Sequence, residues 1–151
     1  MRAAEVTMGR SFVVHFDHGE DFYSALSDFC REHDVKQGFI PMFIAGMREV
    51  ELVGTCEQLE DPDAPVWSAV HLSNIEAIGA GTLAYDEESE TVQPHIHVSV
   101  GLKALSATAH TSHLLAARIH FLTEMYLVEV SQPRLTRSRQ KDLFDVPLLR
   151  F

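Results

Sequence analysis

Cysteine is scarce in this 151-residue chain: Cys30 and Cys56 are the only two, and they form no CxxC pair. They read as reduced, small core side chains rather than as a disulfide. Positive charge is short as well, with 12 Lys and Arg against 22 Asp and Glu and a formal net charge of −10. A duplex-binding domain gains affinity by setting cations against phosphates, so this balance opposes nonspecific nucleic-acid binding. No apolar run approaches the roughly 20 residues that a membrane span needs. The start, Met1 to Met8, lacks a hydrophobic signal-peptide core, which gives the expectation of a cytoplasmic protein with no membrane partner. Repeats and low-complexity segments are missing too.

What is present is the material of a globular domain. Apolar residues make up 46% of the chain and charged residues 23%, and the length suits one domain with a real core. Residues 1–9 read as a loose lead-in and 10–151 as a single domain. Ser11 to Phe16 suits a first strand. From Asp21 to His33 the apolar residues Phe22, Ala25, Leu26, Phe29 and Cys30 fall on one helical stripe, after acids placed where a helix N-terminus favours them. Short strands are expected next: Phe39 to Gly46, with Pro41 marking an edge or a bulge, then the alternating Glu49 to Gly54. Gln58 to Pro65 reads as an exposed acidic loop. Val66 to Leu72 and Asn74 to Tyr85 read as further strands, the glycines of the second marking a bulge or a close backbone approach. Leu102 to Thr111 is expected to be a loop carrying His110. Leu114 to Val130 mixes a helical turn with strand-like runs. The sum is an α+β domain, one main helix and short helical segments on a largely antiparallel sheet.

The chemistry gathers in Pro94-His95-Ile96-His97-Val98-Ser99-Val100-Gly101, with His113 downstream. In a strand successive side chains alternate, so His95 and His97 share one face while Ile96, Val98 and Val100 share the other. Two imidazoles about 7 Å apart at their Cα atoms can converge on one ion. His113, brought back by the intervening turn, would complete a three-histidine set with an open coordination position. The plainer reading stays open beside it. Nine histidines make a His-x-His pair arise by chance about half the time, and such rings also occur bonded to backbone or facing water. The only basic cluster is Arg134, Arg137, Arg139, Lys141 and Arg150; it contains no Gly-Arg-Pro hook and reads as solvated surface offsetting nearby acids.

Gly19-Glu20-Asp21 before the helix, Gly38-Phe39-Ile40, Gly46, Ile75-Glu76, Gly81, Pro94-His95-Ile96-His97-Val98-Ser99 and Ser112-His113-Leu114 stand in the order of a known family. From about residue 10 to the Arg137–Phe151 ending, the chain resembles the PPC domain, the plants and prokaryotes conserved domain also called DUF296, of the stand-alone prokaryotic type. The resemblance implies a homotrimer, a nominal DNA-binding or regulatory description, and a pocket where His95, His97 and His113 hold zinc or another divalent transition metal. Glu76 matches the family's strand glutamate. It and His110 are candidates for supporting a ligand or moving a proton, with a structural hydrogen bond or ion pair the plainer role for Glu76. Thr111-Ser112 stands where the family often has Gly-Gly, and no AT-hook accompanies the domain. The alternative function is a metal-dependent, hydrolase-like enzyme whose substrate the sequence does not name; the small-molecule ligand is equally unnamed.

Overall fold

The computed structural model describes residues 1–53, 69–86, 89–102, 105, 108–143 and 146–151. Seven strands and one α-helix follow in the order β1 (Thr7–Asp17), α1 (Phe22–Glu32), β2 (Gly38–Val53), β3 (Ala69–Asp86), β4 (Thr91–Leu102), β5 (Ala109–Gln132), β6 (Thr136–Gln140) and β7 (Val146–Arg150). Strands make up 72% of the described residues and close into an antiparallel β-barrel. This corrects the α+β expectation. The helix is where the sequence puts it, but the strands do not lie as an open sheet beneath it.

The physical reason is strand length. The segments read as Phe39–Gly46 and Glu49–Gly54 belong to one 16-residue strand, β2. Asn74–Tyr85 and the described end of the segment before it run together as the 18-residue β3. The mixed stretch after Leu114 lies wholly within the 24-residue β5, with no helical turn. Strands this long twist and curl far enough to meet. β5 makes the closure: its start pairs with β4 from Gly101↔Ala109 to His97↔His113. Its middle pairs with β2 from Leu52↔Leu114 to Gly38↔Glu129, and its end with β1. With β2–β3 and β3–β4 paired as well, β2, β3, β4 and β5 form a ring. The register slips between Ile40 and Phe43, so Pro41 sits at a bulge, where a missing N–H breaks no ladder bond.

Inside lie Ile40, Phe43, Met47, Ile75, Leu83, Ile96, Leu114, Ile119 and Met125, all buried. Asp21 caps α1 by accepting a 2.9 Å hydrogen bond from the Ser24 amide. The helix turns Phe22, Leu26 and Cys30 inward, and the Phe22 ring lies 5.2 Å from that of Phe43. Each such side chain contributes about 1.5–3 kcal/mol when fully buried. Cys30 is a free, buried thiol, raised by burial to about 11, which keeps it protonated and inert. Cys56 and the acidic loop Gln58 to Pro65 lie outside the described residues. Among the described residues, no helix is long and apolar enough to cross a membrane.

The glycines of β3 mark both a bulge and a close approach: Gly81 and Gly79 face Ile40 and Phe43 on either side of the β2 slip, while the β3–β4 register runs unbroken from Asp86↔Thr91 to Ile75↔Leu102. A Cβ on Gly79 would stand 2.3 Å from Phe43 Cζ, and one on Gly81 would stand 2.4 Å from Ile96 Cδ1. The missing side chains leave room for core residues of the neighbouring strands.

Beyond β5 the chain passes through Gln132-Pro133 into the β6–β7 hairpin, which meets β3 at Tyr85↔Thr136. Buried Gln37 fixes that passage. Its Nε2 donates to Val130 O (2.9 Å) and Pro133 O (2.8 Å), and its Oε1 accepts from Leu135 N (2.6 Å).

Candidate metal centre

β4 alternates as its composition demands: Ile96, Val98 and Val100 are buried in the core, and His95 and His97 face out of the barrel. Across β3 they stand opposite Thr82 and Ala80, small residues that leave the outer face open. His113 comes from β5, directly opposite His97. The ring centroids are 5.1 Å apart for His95–His97, 4.9 Å for His95–His113 and 5.5 Å for His97–His113. One nitrogen from each ring lies within 4.8 Å of the others.

The donor set suits a borderline transition-metal ion. Tetrahedral zinc with bonds of about 2.0–2.1 Å wants its nitrogens roughly 3.3 Å apart. The rings therefore have to close by up to about 1.5 Å, within reach of histidine side-chain rotation. Protonation favours binding too. Burial, then the charges of Arg137, His113 and His97, push His95 down to about 4. Burial, then His97 and Arg137, also lower His113. Both rings are thus neutral near pH 7, with a lone pair to offer. Part of the His95 ring stays open to solvent, where screening limits how much the shift contributes to stability.

The other two candidates are elsewhere. His110 is not in a loop; it lies in β5 opposite Val100, is exposed, and stands outside the three-histidine group. Glu76 is exposed on β3 opposite Gly46 and Gly101, four residues along the strand from Ala80. At about 3.3 Å per residue that is roughly 13 Å from the position facing His97. Glu76 instead borders a shallow cavity with Ile44, Gly46 and Phe121.

Arg137 is not the solvated surface residue that its basic neighbourhood suggests. It is half-buried on β6. Its guanidinium donates to Thr82 Oγ1 at 2.5 Å and to Gln93 O at 3.3 Å. Burial lowers its pKa, and its charge bears on both His95 and His113. It lines a cavity of about 390 Å³ together with those two histidines, Leu115, Val146 and Pro147. Nothing local signals this placement, because Thr82 and Arg137 meet across 55 residues.

The chain matches the Plants and Prokaryotes Conserved (PCC) domain over residues 3–131. No curated protein sequence matches it. Among solved structures it is similar to a plant- and prokaryote-conserved protein of Pyrococcus horikoshii, with 18% identity and a TM-score of 0.83, covering 100% of this chain and 98% of that one. A metal-containing protein of Archaeoglobus fulgidus is 18% identical with a TM-score of 0.82, and the match covers both chains fully. A protein of Bacteroides thetaiotaomicron, named provisionally as DNA-binding, is 22% identical with a TM-score of 0.77 and 97% of each chain covered. At these identities the solved structures speak to the fold, while the domain match spans most of the sequence: the chain belongs to the Plants and Prokaryotes Conserved (PCC) domain family.

Proposed function

We propose that this chain is a stand-alone PCC-type module that assembles as a homotrimer and holds a divalent transition metal, zinc foremost, at His95, His97 and His113, in a regulatory role. The observation that carries the metal reading is the convergence of three imidazole nitrogens within 4.8 Å on one outer face of the barrel. The Archaeoglobus relative, named as metal-containing, supports it. Elemental analysis of protein purified without chelators or nickel resin tests it. About one zinc per chain, lost in His97→Ala, is expected; a metal-free protein that takes up no zinc on titration refutes the reading.

Self-association is supported by an apolar row on the outer sheet face. Val13 pairs with Tyr126, Tyr126 with Met42, and Ile44 with Ile78, and all five side chains are exposed. A monomer rarely leaves such a contiguous patch in water. DNA binding is the nominal description of the Bacteroides relative. For this chain the net charge of −10 opposes a duplex partner. A fluorescence-anisotropy titration at modest salt tests it, and no binding at micromolar protein is expected.

A metal-dependent, hydrolase-like enzyme is the second reading. It is favoured by the cavity that His95 and His113 share with Arg137. A metal held by three histidines supplies a Lewis acid and lowers the pKa of bound water toward about 7. Turnover of any ester or amide in a hydrolase panel, abolished by His97→Ala, would promote this reading over the first.

A further inference from the structure

We infer that the cavity beside the three histidines is a binding site for a small organic carboxylate, held between the Arg137 guanidinium and the metal. This deepens the metal reading above and rests on it. The argument begins with charge. Three neutral imidazoles contribute nothing to offset a divalent ion, and Arg137 and Arg139 add further positive charge to the same cavity. Among the described residues lining that cavity there is no Asp or Glu. A dication and a half-buried guanidinium facing one half-open cavity favour an anion between them.

Geometry narrows the kind of anion. Arg137 is held in place by Thr82 Oγ1 and the Gln93 carbonyl, so its remaining N–H donors are oriented rather than mobile. A guanidinium fork matches the two oxygens of a carboxylate. The rest of the lining is mostly apolar, with Val53, Leu115, Val146 and Pro147 beside Gln93, Pro94 and the exposed Arg139. Inorganic phosphate engages the charges of Arg137 and Arg139 but leaves the apolar side chains uncovered, and a nucleic-acid backbone is too large for a space of about 390 Å³. A short carboxylate with a hydrocarbon body satisfies both sides.

The test uses full-length protein loaded with Co²⁺, whose visible spectrum reports its ligands. Propionate is titrated in, with propanamide and inorganic phosphate as comparison probes. A saturable spectral change with propionate, none with propanamide, and at least a tenfold weaker response to phosphate are expected. Arg137→Gln should weaken propionate binding tenfold or more with one cobalt still bound per chain, and Arg137→Lys should fall between. Should Arg137→Gln not fold, Val146→Asp places a carboxylate in the apolar wall and should weaken propionate by a similar factor. A silent spectrum in cobalt-loaded protein, equal binding of phosphate, or unchanged affinity in the folded variants overturns the carboxylate site alone. Failure to take up cobalt overturns the metal reading and this one together.

Discussion

His97 on β4 and His113 on β5 face each other as a register pair at the seam where the barrel closes, their ring centroids 5.5 Å apart. Neither ring is in the core, so each can be replaced without opening a cavity. His97→Ala and His113→Ala are each expected to reduce zinc affinity by a factor of about 100 or more, since each removes one of three ligands. The metal-free melting temperature should move by no more than a few degrees. Zinc titration with a competing chromophoric chelator, alongside thermal melts, checks both parts.

Acid should weaken the metal-free fold through the same histidines. His95 is lowered to about 4 and His113 is lowered as well, so the folded chain binds fewer protons than the unfolded chain below the ordinary histidine value of about 6.5. Stability contributed in this way is complete above pH 6.5 and declines as pH falls toward 4. Urea denaturation of metal-free protein across this range should show a falling midpoint, and His95→Gln should flatten the fall. An NMR titration of the His95 ring should give a midpoint well below that of a free imidazole.

Gly79→Ala should be costly for a position with no side chain. The added methyl would stand 2.3 Å from Phe43 Cζ and 2.8 Å from the His97 carbonyl oxygen. Overpacking of this kind costs about 1–3 kcal/mol. Because the crowded strand carries His97, zinc affinity should fall with stability. Chemical denaturation and zinc titration of the variant measure the two effects.

Gln37→Ala should loosen the passage from β5 to the hairpin that bears Arg137. It removes three hydrogen bonds and leaves the Val130 and Pro133 carbonyls and the Leu135 amide short of a partner. A loss of about 2–3 kcal/mol is expected. Hydrogen exchange should show faster exchange in residues 133–140 than in β4.

Tyr126→Glu should disrupt self-association. Tyr126 lies between Val13 and Met42 in the exposed apolar row. A carboxylate there would have to be desolvated in any contact that covers the row. Sedimentation equilibrium should show a trimer for the parent and a monomer for the variant, with unchanged circular dichroism.

The helix and the facing of the histidines were determined by local sequence. Phe22, Leu26 and Cys30 recur at helical spacing, and α1 buries those three. His95 and His97 alternate with Ile96 and Val98, and strand geometry admits one outcome: imidazoles out, aliphatics in. The ordered motifs also carried the family. Tertiary structure alone decided the barrel, because closure depends on β5 pairing with β1, β2 and β4 along different parts of its length, and local periodicity holds no record of partners. It likewise decided the fate of Arg137, which has the composition of a surface residue and becomes part of a pocket only because Gln37 and the β6–β7 hairpin bring it to Thr82. It separated Glu76 and His110 from the cluster for the same reason: distance along a strand and pairing across one are settled by register, and register belongs to the whole fold.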